Sequence, residues 1–323
     1  MQEQFYEDMR SITAQALAAV RPEAAVRKAL AEHSFAPGRI RLVAVGKAAW
    51  SMAEAAVQVL GGRVEKGIVI TKYGHSAGPL PGLLCREAAH PVPDQAGFAA
   101  TREALELVSG LGAEDTVLFL LSGGASALFE QPLVKPEELR SVTGALLACG
   151  CDIAQINTIR KRLSGVKGGR FALRCAPAQV FTVALSDVVG DAVDMIASGP
   201  TCPDSSTRAQ ALEIAEKYAL PLSARGWELL REETPKALPN STVQVTGSVR
   251  QLCAAAAKAA ADRGYRPIIL TDCLTCEARE AGAFLASIAE THRNTGEKLA
   301  FLAGGETVVH LKGSGLGGRN QEI

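Results

Sequence analysis

Three glycines near the end of the sequence, in LKGSGLGGRNQEI, have the spacing G-x-G-x-x-G at positions 313, 315 and 318. Glycines at this spacing let backbone amides approach a phosphate, as they do in dinucleotide-binding loops. A dinucleotide fingerprint is expected at the first strand-to-helix turn, with an acidic residue about 20 positions later. The first such turn here, VAVGKAAWS, has one glycine, so the pattern favours a loop for another anion.

Lys47 is a second candidate for anion binding, because it follows an apolar run and precedes an alanine-rich helical pattern. A cation at a helix N-terminus opposes the helix dipole, and a bound phosphate or carboxylate removes that conflict. The alternative is a solvated lysine at a helix start. A Walker A loop is excluded, because Arg41 stands where that motif needs glycine and Ala48 follows the lysine.

The segment SGGAS follows the apolar run TVLFLL, and its two glycines allow the backbone to come close to a ligand. The amides that open the next helix would then point toward an anion. A tight strand-to-helix turn without a ligand is the alternative. The predicted phosphate-binding residues of this loop are Ser122, Gly123, Gly124 and Ser126.

Further polar residues follow later apolar runs. Asn157 and Lys161 are four positions apart, so they share a face if the cationic segment around them is helical. A charge run of this kind is also typical of a solvated surface. A second glycine-rich loop, joined by a predicted strand to the loop that carries Arg319 and Asn320, contains Gly304, Gly305 and Glu306.

Two carboxylates, Asp187 and Asp191, stand close together after the apolar run FTVAL. Mg²⁺ prefers one or two carboxylates together with substrate phosphates and retained waters, so this loop is a candidate metal site. The alternative is an Asx-turn in which Asp191 caps the following segment.

The elements that must position these residues alternate along the sequence: a short apolar run, a glycine-rich turn, then a helical pattern. This alternation predicts an α/β fold with a parallel sheet, and strands covered on both faces explain why the runs are continuously apolar. Ligands of such sheets bind beyond the carboxyl ends of the strands, where the polar turns lie. At 323 residues we expect two domains, at 1–237 and 238–323.

Composition excludes several classes of protein. Thirty-four basic and thirty-four acidic residues give no net charge, so neither nucleic acid nor an anionic membrane is an expected partner. The charged N-terminus is unlike a signal peptide, and no apolar run approaches the roughly 20 residues of a membrane span. The eight cysteines are expected to be reduced thiols of a cytoplasmic protein, and Cys273 and Cys276 lack a second ligand pair for zinc.

The motifs together resemble the type 2 glycerate kinase family, whose members have been confused with hydroxypyruvate reductases. The resemblance is collinear over nearly the whole chain and rests on VGKAA at 45–49, HPVPD at 90–94, LLSGGASAL at 120–128, INTIRKRLSGVKGGR at 156–170, SDVVGD at 186–191, IASGPT at 196–201, GGET at 304–307 and GLGGRNQE at 315–322. It implies a Rossmann-like N-terminal domain, a smaller α/β C-terminal domain and a cleft between them. In the family further sequence follows the last motif, so we expect the second domain to be truncated at Ile323.

The resemblance also implies ATP-dependent, Mg²⁺-assisted phosphorylation of D-glycerate, giving 2-phosphoglycerate in many members. In that reaction Lys47 and Arg319 would be the catalytic cations, acting on the transferring phosphoryl group or the glycerate carboxylate. Asp187 would be the base that orients the attacking hydroxyl, or a metal ligand with Asp191. Asn157, Lys161, Glu306 and Asn320 would line the pocket, and a homodimer is one option for the assembly.

Two other functions compete with the kinase. An NAD(P)H-dependent hydroxypyruvate reductase requires a dinucleotide fingerprint, which the first turn of the sequence lacks. A non-catalytic sensor of sugar acids or nucleotides would bind ligand without turnover.

Overall fold

The computed structural model describes residues 2–186, 193–310 and 322–323. These residues form two compact units: a larger one made of residues 26–185 and 193–246, and a smaller one made chiefly of residues 2–25 and 247–310. The domain boundary expected between residues 237 and 238 stays a prediction.

The larger unit is built on six parallel strands, in agreement with the predicted α/β fold. Their order across the sheet is β3-β2-β1-β4-β5-β6, so the direction of winding reverses between β1 and β4. Ligands of open parallel sheets bind at such a reversal. The strands are β1 Ile40–Val45, β2 Val64–Lys72, β3 Leu83–Ala88, β4 Thr116–Leu121, β5 Gln179–Leu185 and β6 Ser241–Thr246.

In chain order the helices are α1 Gln2–Ala19, α2 Pro22–Glu32, α3 Ala49–Leu60, α4 Gln95–Leu107, α5 Ala125–Leu128, α6 Pro136–Ala148, α7 Ile153–Arg162, α8 Arg170–Cys175, α9 Arg208–Lys217, α10 Ala224–Arg231, α11 Val249–Ala261 and α12 Ala278–Thr291. Short 3₁₀ turns occupy Gly61–Arg63 and Ile196–Ser198. None of the helices that the structure describes is both long and apolar enough to cross a bilayer.

The central strands β1 and β4 are buried along their whole length, which explains their unbroken apolar sequences. Successive side chains point to opposite faces. On one face Leu118 packs in a core cluster with Met52 of α3. On the other, the Phe119 ring centroid lies 5.6 Å from that of Phe129 and 4.9 Å from that of Phe171.

A second core cluster joins helices α6, α7, α9 and α10 of the same unit. Their starting points are set by local sequence: the Asp152 carboxylate accepts a hydrogen bond from Gln155 N, and the Gln155 side chain accepts one from Asp152 N in return. Thr207 and Gln210 form the same reciprocal cap at the start of α9. Such caps satisfy amides that lack a partner inside the helix.

The smaller unit contains a parallel pair of strands, β7 Arg266–Leu274 and β8 Leu299–Gly305. Helix α11 packs on both strands and also against α1. The Tyr265 hydroxyl donates to the Asp8 carboxylate at 3.0 Å, which ties α1 to the start of β7.

Candidate active site at the carboxyl ends of the strands

The turns that follow β1 and β4 interlock through their backbones. Lys47 N donates to Gly123 O at 2.9 Å, and Ala48 N donates to Ser122 Oγ at 3.1 Å. Gly46 has φ +123°, and a Cβ there would lie 2.2 Å from Ser122 Oγ. The turn that carries Lys47 and the turn 122–126 are therefore in direct contact, at the point where the strand order reverses.

The Ser122 side chain is buried and serves this contact between the turns. Its hydroxyl accepts from Ala48 N and lies 3.4 Å from Val45 O, and Ser122 N donates to the same carbonyl at 2.9 Å. Ser122 thus locks the two turns together, while the backbone of Gly123 and Gly124 is partly exposed beside it. This is the tight strand-to-helix turn that was the alternative for this loop, and it is also the arrangement that a backbone phosphate site needs.

Lys47 is exposed and extends beside Gly124 and His90. Gly124 has φ +90°, and a Cβ at this position would lie 3.1 Å from His90 Cδ2 and 3.3 Å from Lys47 Cγ. A larger residue would be strained and would crowd both side chains. The glycine therefore leaves room for a lysine and an imidazole over the same turn.

Three further basic residues, Lys72, His75 and His90, lie near these turns and were not predicted as site residues. Burial lowers the pKa of His90, and the positive charges of Lys47, Lys72 and His75 lower it further. His90 is therefore neutral at pH 7 and can donate or accept a hydrogen bond. Lys72 is the last residue of β2, and His75 and His90 follow β2 and β3. All three therefore lie at the carboxyl ends of strands, where ligands of parallel sheets bind.

The loops that carry these residues are fixed by carboxylates. Asp94 caps α4 by accepting from Gly97 N at 2.9 Å and accepts from the Tyr73 hydroxyl at 2.8 Å. Glu87 accepts from Ser76 N at 3.0 Å. The His75 Nδ1 atom lies 3.2 Å from Lys47 O, which connects the β2 turn to the β1 turn.

Asn157 and Lys161 share one face of α7, as the spacing predicted. The Ser198 hydroxyl donates to Asn157 Oδ1 at 2.7 Å. Lys161 is buried, and its Nζ lies 2.9 Å from Asp204 Oδ1 and 3.2 Å from Asp194 Oδ2. The ammonium of Lys161 is therefore balanced by two carboxylates of its own unit.

The rest of this cationic segment is also turned inward rather than solvated. Arg162 and Lys167 are fully buried, and Lys167 Nζ lies 2.6 Å from Glu130 Oε2 and 2.9 Å from Phe129 O. Arg160 Nη2 lies 3.5 Å from Ser126 O, in the short helix α5 that follows the glycine turn. The segment thus supports the backbone under the strand-end turns.

Gly304, Gly305 and Glu306 lie in the smaller unit at the end of β8. A Cβ on Gly304 would lie 2.5 Å from Cys253 Sγ, and one on Gly305 would lie 2.1 Å from Leu274 O. Glu306 is exposed, and its N donates to Leu274 O at 2.8 Å. Close packing on α11 and β7 is therefore sufficient reason for both glycines.

Four predicted site residues, Asp187, Asp191, Arg319 and Asn320, lie outside the described residues. Within residues 2–186, 193–310 and 322–323, no group of three or more His, Cys, Asp or Glu side chains is arranged to hold a metal ion.

Comparison with known proteins adds independent information. Residues 8–231 match the family described as a domain of unknown function, DUF4147. A D-glycerate 2-kinase of Thermotoga maritima is 50% identical over 318 residues, which cover 97% of this chain and 76% of that protein. A putative hydroxypyruvate reductase of Agrobacterium vitis is 42% identical, over 98% of this chain and 74% of that protein.

The similarity extends to the three-dimensional structure. The crystal structure of glycerate kinase from Thermotoga maritima superposes with a TM-score of 0.93 at 48% identity. The match covers 99% of this chain and 78% of that one.

Proposed function

The chain belongs to the type 2 glycerate kinase family, and on this premise we propose that it phosphorylates D-glycerate with ATP as the phosphate donor. It is a phosphotransferase with an alcohol group as the acceptor. The hydroxypyruvate reductase named among its relatives needs a dinucleotide site, and the first strand-to-helix turn has a single glycine.

The observation that carries the proposal is the interlocked pair of turns after β1 and β4. Phosphoryl transfer depends mainly on positioning and on neutralising charge spread over the phosphoryl oxygens. These turns present the partly exposed backbone of Gly123 and Gly124 and the exposed Lys47 ammonium at the reversal of strand order. We assign Lys47 to the transferring phosphoryl group or to the glycerate carboxylate.

The neighbouring basic residues would shape the anion site. Lys72 adds a second ammonium near His90, and the neutral imidazole of His90 can hydrogen-bond to a phosphate or a hydroxyl without adding charge. Because the carboxylates of Asp94 and Glu87 hold the flanking loops by hydrogen bonds, the basic groups are positioned before substrate arrives.

Mg²⁺ is part of the proposal, with Asp187 and Asp191 as the residues that would hold it. Two carboxylates suit this ion, which keeps several waters and takes its other ligands from substrate phosphates. Bound Mg²⁺ would neutralise charge on the phosphates of ATP. Asp187 would alternatively orient the glycerate hydroxyl, and Arg319 would supply the second catalytic cation.

We propose 2-phosphoglycerate as the product, since the Thermotoga maritima relative is named a D-glycerate 2-kinase. Glu306 and Asn320 would contribute to substrate binding, and Asn157 and Lys161 would support the pocket. A homodimer would be the assembled form, and the cytoplasm would be the compartment.

Phosphorus NMR of a reaction containing the protein, ATP, Mg²⁺ and D-glycerate tests the reaction and its regiochemistry together. We expect ADP and a single new phosphomonoester signal that coincides with authentic 2-phosphoglycerate. A signal at the position of 3-phosphoglycerate would correct the product and leave the kinase assignment intact.

The competing functions give different results in the same preparation. A reductase would oxidise NADH or NADPH when hydroxypyruvate is added, which the loss of nicotinamide absorbance would reveal. A sensor would bind ATP or glycerate by calorimetry without forming ADP. Either result, with no phosphomonoester, would contradict the proposed function.

A further inference from the structure

Two cysteines that the kinase proposal does not use stand side by side between α6 and α7. In Cys149-Gly150-Cys151 the two Sγ atoms lie 3.2 Å apart, and either thiol can donate to the other. Gly150 has φ +74°, a left-handed conformation that favours glycine and turns the chain sharply. The turn therefore brings together two side chains separated by one residue.

The two sulfurs differ in their surroundings. Cys149 is exposed, whereas Cys151 is half-buried near Tyr218, whose hydroxyl donates to Gln155 Oε1 at 3.5 Å. Burial and the neighbouring Cys149 raise the pKa of the Cys151 thiol, and Tyr218 opposes that rise. The accessible Cys149 is thus suited to attack a reagent. Cys151 lies close enough to attack the Cys149 sulfur afterwards.

A cation completes the group. Lys217 Nζ lies 4.9 Å from the centroid of the Tyr218 ring, and the neighbouring phenol is the main cause that raises the pKa of Lys217. Lys217 and Tyr218 both act in the direction that favours the Cys151 thiolate, the form that attacks in the second step of an exchange.

The other cysteines have different environments. Burial raises the pKa of Cys175 to about 12 and that of Cys202 to about 11, so these thiols are unreactive. Cys273 and Cys276 are exposed, and Cys273 Sγ lies 3.5 Å from Thr271 Oγ1. They form a second exposed pair, separated by two residues in the sequence, and provide an internal control.

We infer that Cys149 and Cys151 form a thiol–disulfide exchange site that closes to an intrachain disulfide on reaction with a small oxidised disulfide such as glutathione disulfide. The inference does not depend on the proposed function.

The exchange proceeds in two balanced steps. The Cys149 thiolate attacks one sulfur of the small disulfide, forms a mixed disulfide and releases one glutathione thiolate. Cys151 then loses its proton to that thiolate or to water and attacks Cys149 Sγ, releasing the second glutathione. Two S–H bonds are lost, one S–S bond of about 2.05 Å forms, and the small disulfide is reduced to two thiols.

Trypsin digestion allows the two pairs to be compared in one sample. Residues 141–160 contain Cys149 and Cys151 between Arg140 and Arg160, with no internal lysine or arginine. Residues 264–279 contain Cys273 and Cys276, because trypsin does not cleave before Pro267. Each peptide contains no other cysteine.

The experiment treats the folded full chain with glutathione disulfide, quenches with acid and N-ethylmaleimide, and analyses the tryptic peptides by mass spectrometry. We expect peptide 141–160 to lose two hydrogens and take up no maleimide. Peptide 264–279 should close at least about tenfold more slowly, since its thiols lack a described sulfur neighbour within contact distance.

Single variants test the order of attack. Cys151→Ser should accumulate a stable glutathione adduct on Cys149, whereas Cys149→Ser should slow modification of Cys151 on the order of tenfold because that sulfur is half-buried. Cys273→Ser should leave closure of peptide 141–160 unchanged.

Three outcomes in the wild-type protein would overturn the inference: no reaction at peptide 141–160, two glutathione adducts on it, or closure no faster than that of peptide 264–279. Because these are measured without any substitution, a variant that fails to fold does not obscure the result.

Discussion

The strand-end turns around Lys47 and the cationic segment 160–170 both combine lysines or arginines with glycines, yet they place their charges in opposite environments. Lys47 is exposed over a glycine turn, whereas Lys167 is fully buried against Glu130. An exposed cation at the carboxyl end of a sheet is available to a ligand, and a buried, paired cation is committed to structure. Charge type alone therefore does not distinguish a binding residue from a supporting one.

The largest expected effect is on stability and concerns the buried Lys167. Lys167→Met should lower the free energy of unfolding by about 3–5 kcal/mol, because it leaves the buried Glu130 carboxylate without its partner. Chemical denaturation measures this loss. Arg225→Ala removes one partner of the exposed pair with Glu228 and should cost at most about 1 kcal/mol. Equal effects in the two variants would abolish the contrast between the regions.

For the exposed Lys47 we expect a loss of turnover rate and not of stability. Lys47→Ala should reduce turnover of ATP and D-glycerate by about 10²–10³, because one electrostatic contact to the transferring group is removed. Its free energy of unfolding should change by no more than about 0.5 kcal/mol, since the side chain is exposed.

A lysine at the other end of the sheet is the matched control. Lys66 is exposed near the start of β2, and Lys66→Ala should leave turnover unchanged. If Lys47→Ala retained near-normal turnover, or if both variants lost activity alike, the strand-end turns would not be the catalytic region.

The pH dependence of stability sharpens the same contrast. Hydrogen bonds from Thr234, Lys161 and Ser206 N outweigh burial and lower the pKa of Asp204 from 3.8 to about 2. Its ionised form is therefore favoured in the folded state. This stabilisation, about 2 kcal/mol, is complete above pH 3.8 and is lost as the pH falls toward 2.

Acid titration of the unfolding free energy measures this contribution. Asp204→Asn should flatten the decline between about pH 4 and pH 2, and Asp262→Asn, at an exposed pair with Lys258, should preserve it. An unchanged slope in Asp204→Asn would show that the buried network does not depend on that carboxylate.

The smallest effect concerns the glycine beneath the two basic side chains. Gly124→Ala should cost about 1–2 kcal/mol of stability, because φ is +90° and the new Cβ would press on His90. Gly62→Ala has open space around it and should be neutral or slightly stabilising. Thermal unfolding of both variants tests the pair, and turnover should fall in Gly124→Ala alone.

Much of the fold was predictable from local patterns. The apolar runs 40–45 and 116–121 became buried central strands, and glycine-rich turns followed them. The site was predicted less completely. Lys47 and the turn 122–126 are adjacent, but Lys72, His75 and His90 were not predicted, because β2 and β3, which position them, were not predicted as strands.

The cationic segment shows why the remaining features could not be predicted. A run of charges is typical of a solvated face, yet Arg162 and Lys167 are fully buried. Their partners, Asp204 and Glu130, lie far from them in sequence. The contact between Cys149 and Cys151 was also not predicted, because it depends on the left-handed turn at Gly150.

The sequence by itself determined the strands, the glycine turns, the α/β class and the family, because hydrophobic period, backbone preference and collinear motifs are properties of neighbouring residues. Tertiary structure decided the strand order, the interlocking of the turns and the environment of each charge. A cation is exposed or neutralised according to carboxylates and carbonyls brought near it from distant segments, and pairing over such separations is set by packing rather than by local sequence.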